Sequence, residues 1–205
     1  NWMRVGYIMG VANTDNVTIS GESIDFGPCS FMNSYNPLAV FSSIDSQGRY
    51  AYGNQPVIGH WNLSRFAETL IPLLDKNYQN SIKIGEEIIN NFSEKFKHSW
   101  LEMMKNKLGF FGFNENDESF IVKILNWMNE NKADYTNTFC YLMNDLSCND
   151  SIYEKKSFVE IFQEWKNRIS KNHVPKEISD KLMKTNNPKI IARNYKIEEA
   201  LDAIT

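Results

Sequence analysis

The sequence predicts a mainly α-helical lobe with one small β-hairpin at its edge that carries the polar chemistry. Three observations lead there. Apolar residues recur at helical spacing over most of 61–204, a short stretch near residue 20 alternates with period two, and residues 28–60 are rich in Pro, Gly, Asn and Ser. With 205 residues, 42% hydrophobic and 13% aromatic, the chain is long enough to bury a core as a single domain, 1–205. Within it, 1–60 holds a loop, the hairpin and a long loop, and 61–205 is the helical part.

In chain order, residues 1–9 read as the last turns of an amphipathic helix. Val17, Ile19 and Ile24 then alternate with Thr18, Ser23 and Asp25, and Ser20-Gly21 serves as a two-residue turn. Centred there, the hairpin pairs Val17 with Ile24 and Asn16 with Asp25. Its Val17, Ile19 and Ile24 side would be core, and its Asn16, Thr18, Ser23 and Asp25 side a polar site. Pro28, Pro37 and Pro56 interrupt regular structure, and Phe31, Tyr35, Phe41, Tyr50 and Tyr52 pin the long loop to the core. Arg49 is the loop's notable cation, with an ion pair to an acidic neighbour as its expected use and phosphate contact as the alternative.

A helical stripe follows on Trp61, Phe66, Ala67, Leu70 and Leu73 or Leu74, which Pro72 kinks or ends. A longer helix is expected over about 84–107, with Ile88, Ile89, Phe92, Phe96, Trp100, Met103 and Met104 inward. Asp117 or Glu118 opens another, whose inner face is Phe120, Ile121, Ile124, Leu125 and Met128. Further helices are expected over 135–144, around Phe158, Val159, Phe162, Trp165 and Ile169, and over 190–204, with a polar break at 144–150 and a stop at Asn187-Pro188.

Net charge is −3 and pI about 5.7, with both signs interspersed, which argues against nucleic acid or an anionic membrane as partner. No apolar run reaches membrane-spanning length. Cys29, Cys140 and Cys148 form neither a disulfide framework nor a zinc pattern, so all three read as free thiols of a reducing, cytoplasmic compartment. His60, His98 and His173 lack partners at ligand spacing.

The chemistry concentrates in Asn13-Thr14-Asp15-Asn16 and Asp25-Phe26-Gly27. Opposed residues of a hairpin have Cβ atoms about 4.5–5.5 Å apart, close enough for the Asn16 amide oxygen and the Asp25 carboxylate to share one small cation. Mg²⁺ takes hard oxygens at roughly 2.0–2.1 Å and commonly one or two carboxylates, completing its shell with water and phosphate. Asp15 is then left as a base or as a hook for an acceptor hydroxyl. The same residues are also good turn chemistry, since Asx side chains bond their own backbone.

Gly10-Val11-Ala12-Asn13-Thr14-Asp15-Asn16, followed by Ile24-Asp25-Phe26-Gly27-Pro28, closely resembles the heart of the selenoprotein O family, also called YdiU, kinase-like proteins that transfer a nucleotide to proteins. The resemblance continues through Gln47-Gly48-Arg49-Tyr50-Ala51-Tyr52, Gln55-Pro56, Gly59, Trp61-Asn62-Leu63 and Arg65. It returns at Asp134-Tyr135-Thr136, Asn187-Pro188-Lys189 and Arg193-Asn194-Tyr195. It implies that Asp15 is the proton acceptor, that Asn16 and Asp25 bind Mg²⁺ (or Mn²⁺), and that Asp25 also lies beside the ATP phosphates. One departure is Met9, where the family commonly has His.

Protein kinases use an equivalent Asp, Asn and Asp-Phe-Gly set, but their Asn follows the catalytic Asp at a distance rather than next door, which disfavours an ordinary kinase. The resemblance further implies that ATP sits reversed relative to kinases, so that AMP passes to Ser, Thr or Tyr hydroxyls of other proteins and pyrophosphate is left. It also implies a fragment, the C-terminal lobe of a kinase-like fold without the upstream nucleotide-gripping lobe, and therefore weak or inactive alone. Two other readings are a kinase-like phosphotransferase and a non-catalytic helical interaction module.

Overall fold

A computed structural model describes residues 1–143 and 150–204. The expected polar break at 144–150, the end of the helix expected to reach 144, and Cys148 fall almost wholly outside the described residues. The chain packs as two compact units, a helical unit of Asn1–Tyr7, Ser30–Pro37 and Leu101–Thr205 and a loop unit of Ile8–Cys29 and Leu38–Trp100.

The elements are mainly helical, as the periodicity predicts. After a single turn, α1 (Trp2–Val5), come two three-residue strands, β1 (Tyr7–Met9) and β2 (Cys29–Phe31), paired in a two-stranded antiparallel sheet. Residues 10–28 form the connection between these strands, so the candidate site is carried on an extended hairpin. Helices α2 (Gln55–Leu74), α3 (Tyr78–Asn90), α4 (Phe92–Leu108), α5 (Asp117–Asn131), α6 (Tyr135–Leu142), α7 (Lys156–Ile169), α8 (Lys176–Asn186) and α9 (Asn194–Asp202) follow.

Several boundaries differ from expectation for local reasons. Helix α2 starts at Gln55, ahead of the Trp61 stripe, because Pro56 sits in its first turn, where a missing N–H costs nothing. Pro72 lies inside its last turn and does not end it. The single helix expected over 84–107 is divided at Asn91, where two consecutive asparagines, poor helix formers, interrupt the run. Asn77 starts α3 by accepting from the Gln79 and Asn80 backbone N–H groups at 2.9 and 3.2 Å. The periodicity reading has no counterpart of α8, and α9 is shorter than 190–204.

In the helical unit, α5 buries Phe120, Ile121, Ile124, Leu125 and Met128, the five residues predicted. Trp127, Tyr141, Tyr153, Phe158, Phe162 and Trp165 continue that core as one aromatic cluster, with centroids 4.5 Å apart for Tyr141 and Tyr153 and 4.7 Å for Trp127 and Phe158. Charges inside this unit are matched. Asp117 and Arg168 form a two-pronged pair at 2.6 and 3.0 Å, and Asp134 both caps α6 through the Asn137 N–H and pairs with Arg193 at 2.6 Å. The recurring Asp134 and Arg193 are therefore scaffold residues. Lys107 is 1% exposed, donates to the Arg4 carbonyl at 2.7 Å and lies over the Phe139 ring at 4.0 Å; burial, with Arg4 nearby, holds its ammonium pKa well below the usual lysine range.

Candidate active site

The hairpin around residue 20 forms, but one residue out of the expected register. Val17 pairs with Ser23 in an isolated antiparallel bridge, the Thr18 N–H donates to Glu22 O at 2.9 Å and the Ile24 N–H donates to Asn16 O at 2.9 Å. Asn16 is thus opposite Ile24, not Asp25. The cause is the turn, which uses three residues, Ile19, Ser20 and Gly21, between the paired Thr18 and Glu22, with Gly21 at φ 79° in the left-handed position that closes a three-residue loop. Thr18 Oγ1 reinforces it by accepting from the Glu22 N–H at 3.0 Å. Because a one-residue slip exchanges faces, the expected core side is not core, and Ile19 and Ile24 are exposed.

All three predicted residues lie in the 10–28 connection. Asp15 is exposed, and its carboxylate makes no hydrogen bond or ion pair among the described residues. Asn16 donates its Nδ2 to Val11 O at 3.0 Å, which leaves Oδ1, the atom a hard cation would take, with no described donor. Asp25 Oδ1 accepts from the Gly27 N–H at 2.8 Å, and Oδ2 has no described donor. Three hard oxygen ligand groups therefore remain available on one loop, a donor set of the kind Mg²⁺ accepts. Among the described residues no group of three His, Cys, Asp or Glu side chains converges, so a cation here would draw on Asn16 and Asp25 and complete its shell with water and phosphate.

The loop is available because other groups hold its backbone. Asn62 of α2 donates Nδ2 to Ala12 O at 2.9 Å, Gln55 of α2 accepts from the Met9 N–H at 3.2 Å, and the Tyr50 hydroxyl donates to Asn13 Oδ1 at 2.7 Å. Tyr50 is held in turn, since Asp45 accepts from both the Arg49 and Tyr50 N–H groups at 2.8 Å. At Gly10 a Cβ would stand 2.3 Å from Pro28 O and 2.5 Å from Phe41 O, so the loop's entrance closes only around glycine. Met9 is fully buried, and the Ser23 hydroxyl donates to its sulfur at 3.1 Å, so the departure from the family's His is absorbed as packing.

Sequence reading treated Tyr50 as a core pin and did not assign roles to Asn62 and Gln55. The signal was present, because Asn62 and Gln55 lie in motifs shared with the resembling family and share one face of α2. Arg49 is not ion-paired as expected. Among the described residues no carboxylate is within ion-pair distance, and its guanidinium lies 5.0 Å from the Trp61 ring centroid and 5.7 Å from that of Tyr50. His60 packs against Phe92 at 5.4 Å, an aromatic contact and no ligand set.

Known proteins are similar to this chain along its length. The family model described as Protein adenylyltransferase SelO matches residues 1–205. A "Protein nucleotidyltransferase YdiU" of Pelagibacter ubique is 50% identical over 201 residues, covering 98% of this chain and 42% of that protein. Proteins of the same name from Bacillus mycoides and Halalkalibacterium halodurans are 49% and 50% identical over 202 residues, each with 41% of its length covered. The chain thus spans about two fifths of the length of the curated relatives it matches. By the match along its whole length and by the loop that carries Asp15, Asn16 and Asp25, the chain belongs to the protein adenylyltransferase SelO family.

Proposed function

We propose that the chain is the catalytic part of a protein nucleotidyltransferase that moves AMP from ATP to a Ser, Thr or Tyr hydroxyl of another protein. The observation that carries this is the loop's chemistry: among the described residues Asp15, Asn16 Oδ1 and Asp25 Oδ2 have no hydrogen-bond or ion-pair partner, while the backbone beneath them is held by Asn62, Gln55 and Tyr50. The Asp15 carboxylate is exposed and Asn16 Oδ1 and Asp25 Oδ2 have no described donors, so all three are available to a substrate.

The acceptor hydroxyl oxygen bonds to the α-phosphorus, the bond to the β-phosphate oxygen breaks, and pyrophosphate departs with that electron pair. Asp15 orients the hydroxyl and accepts its proton. Asn16 and Asp25 would hold Mg²⁺ or Mn²⁺, which when bound neutralises charge on the phosphate oxygens. The protein's share is positioning: three functional groups on adjacent turns of one pinned loop lose little freedom as the reacting atoms align. No described helix is long and apolar enough to cross a membrane.

The test is incubation of a full-length version, with the upstream nucleotide-gripping lobe, and acceptor protein with ATP labelled on either the α- or the γ-phosphate. Transfer of the α-label alone is expected, and Asp25→Ala should remove it. Transfer of only the γ-label would make the protein a phosphotransferase instead.

A further inference from the structure

Helix α2 supports the loop that carries Asp15 without being covered itself. Its Gln55 and Asn62 hold the Met9 N–H and the Ala12 carbonyl, yet of its 20 residues only Gln55 and Ile58 are buried. Its neighbour α3 has 13 residues and buries only Ser81 and Gly85. By contrast α5, with 15 residues, buries seven. Helices in proteins owe most of their stability to an apolar face packed against something, so α2 and α3 lack the cover that their apolar faces call for.

The hairpin turn and one face of α2 bound an open groove of about 530 Å³, walled by Val17 and Ile19 on the hairpin and by Leu63 and Phe66 on α2. Ile19 is 80% exposed, Leu63 41% and Phe66 37%. Contiguous exposed apolar surface marks an interaction site. The groove offers no free charge: no carboxylate lines it, and its one lining cation, Arg65, is paired with Glu68 at 2.7 Å. Transient partners are steered and selected by complementary charge, whereas permanent interfaces resemble a core cut in half. This groove is of the second kind.

The matched relatives supply a permanent partner. They are more than twice as long as this chain, since 98% of it aligns with only 41–42% of each. In a protein of that length about three fifths of the polypeptide is tethered to the groove, at high effective concentration and with no need of steering charge. We infer that the groove between the hairpin turn and α2 is the seat of a segment of the same polypeptide outside residues 1–205, which packs apolar side chains against Ile19, Leu63 and Phe66. Because α2 carries Gln55 and Asn62, that segment also braces the loop bearing Asp15, Asn16 and Asp25. The inference goes beyond the AMP-transfer reading and does not rest on it.

The experiment uses a full-length version with Phe66→p-benzoylphenylalanine, which on irradiation bonds to a C–H group lying against it. Peptide mapping by mass spectrometry is expected to find a product within one polypeptide, joined to residues outside 1–205. Products confined to residues 1–205, or formed only with a second copy or only with an added acceptor protein, overturn the inference. The melting temperature gives a second reading. Phe66→Glu puts an unpaired charge into a covered groove and should lower the full-length protein's melting temperature by about 3 °C or more, and Phe66→Leu by less than half as much. An unchanged melting temperature for Phe66→Glu overturns the inference as well. Neither measurement contains ATP, so failed AMP transfer would leave the covered groove standing, and a groove without the expected product would leave the transfer reading standing.

Discussion

The two units treat charge in opposite ways. In the helical unit every carboxylate that matters is spoken for: Asp117 grips Arg168, and Asp134 caps α6 while pairing with Arg193. In the loop unit Asp15 has no partner among the described residues, and Asp25 keeps one oxygen without a described donor. Asp134 and Arg193 belong to motifs shared with the family as much as Asp15 and Asp25 do, so membership of a shared motif does not tell a scaffold residue from a candidate chemical one. The hydrogen-bond partners do.

Apolar groups divide the same way. The helical unit folds Trp127, Tyr153, Phe158 and Trp165 into one closed core. In the loop unit, Trp61, Phe66, Leu73 and Leu74 of the stripe predicted as core on α2 are exposed, and Ala67 and Leu70 are half-buried. Helical spacing reports an apolar face but not what covers it.

The comparison can be broken first where its effect is largest. Asp117→Ala leaves Arg168 buried without its partner and is expected to cost about 3–5 kcal/mol, read by urea unfolding. A cost near zero would mean the pair is not structural. Asp25→Ala is expected to do the reverse. It should lower AMP transfer by about 100-fold or more, on the scale of lost charge stabilisation at a phosphoryl group. Its stability should change by no more than about 1 kcal/mol. A large loss of stability would make Asp25 a scaffold residue like Asp134.

Lys107 sharpens the contrast, being a buried cation of the helical unit with no carboxylate against it among the described residues, faced by Arg4, Cys140 and the Tyr135 and Phe139 rings. Its folded pKa is lowered, so between that value and the unfolded value near ~10.4 the unfolded chain binds more protons, and stability rises with pH over that window. The gain is at most about 1.4 kcal/mol per pH unit. Lys107→Met should flatten the slope, and parallel pH profiles for the two proteins would refute it. The smallest effect is Tyr50→Phe, which removes the bond to Asn13 and should cost about 1 kcal/mol while slowing transfer. Unchanged transfer would show that the loop does not need that tie.

How legible the site was depended on the range of the forces involved. The loop, its three chemical residues and the need for a hairpin could be read because turn chemistry and strand alternation are local. The register could not, because it turned on whether the hairpin's turn held two residues or three, and Gly21 at φ 79° settled that. The supports, Asn62 to Ala12 and Tyr50 to Asn13, join residues far apart in the chain, so no window of sequence contains them. Arg49 was misread for a related reason. Its acidic neighbour Asp45 is spent on backbone N–H groups, and its ring partner Trp61 is brought in only by the fold.

By itself the sequence determined the helical class, the family and the residues able to do chemistry, because periodicity, turn propensity and motif identity are properties of neighbouring residues. The tertiary structure decided which carboxylates stay open, which helix pins the loop, and which aromatic ring Arg49 rests on. Those outcomes depend on pairings between distant residues, and only the packed chain brings them together.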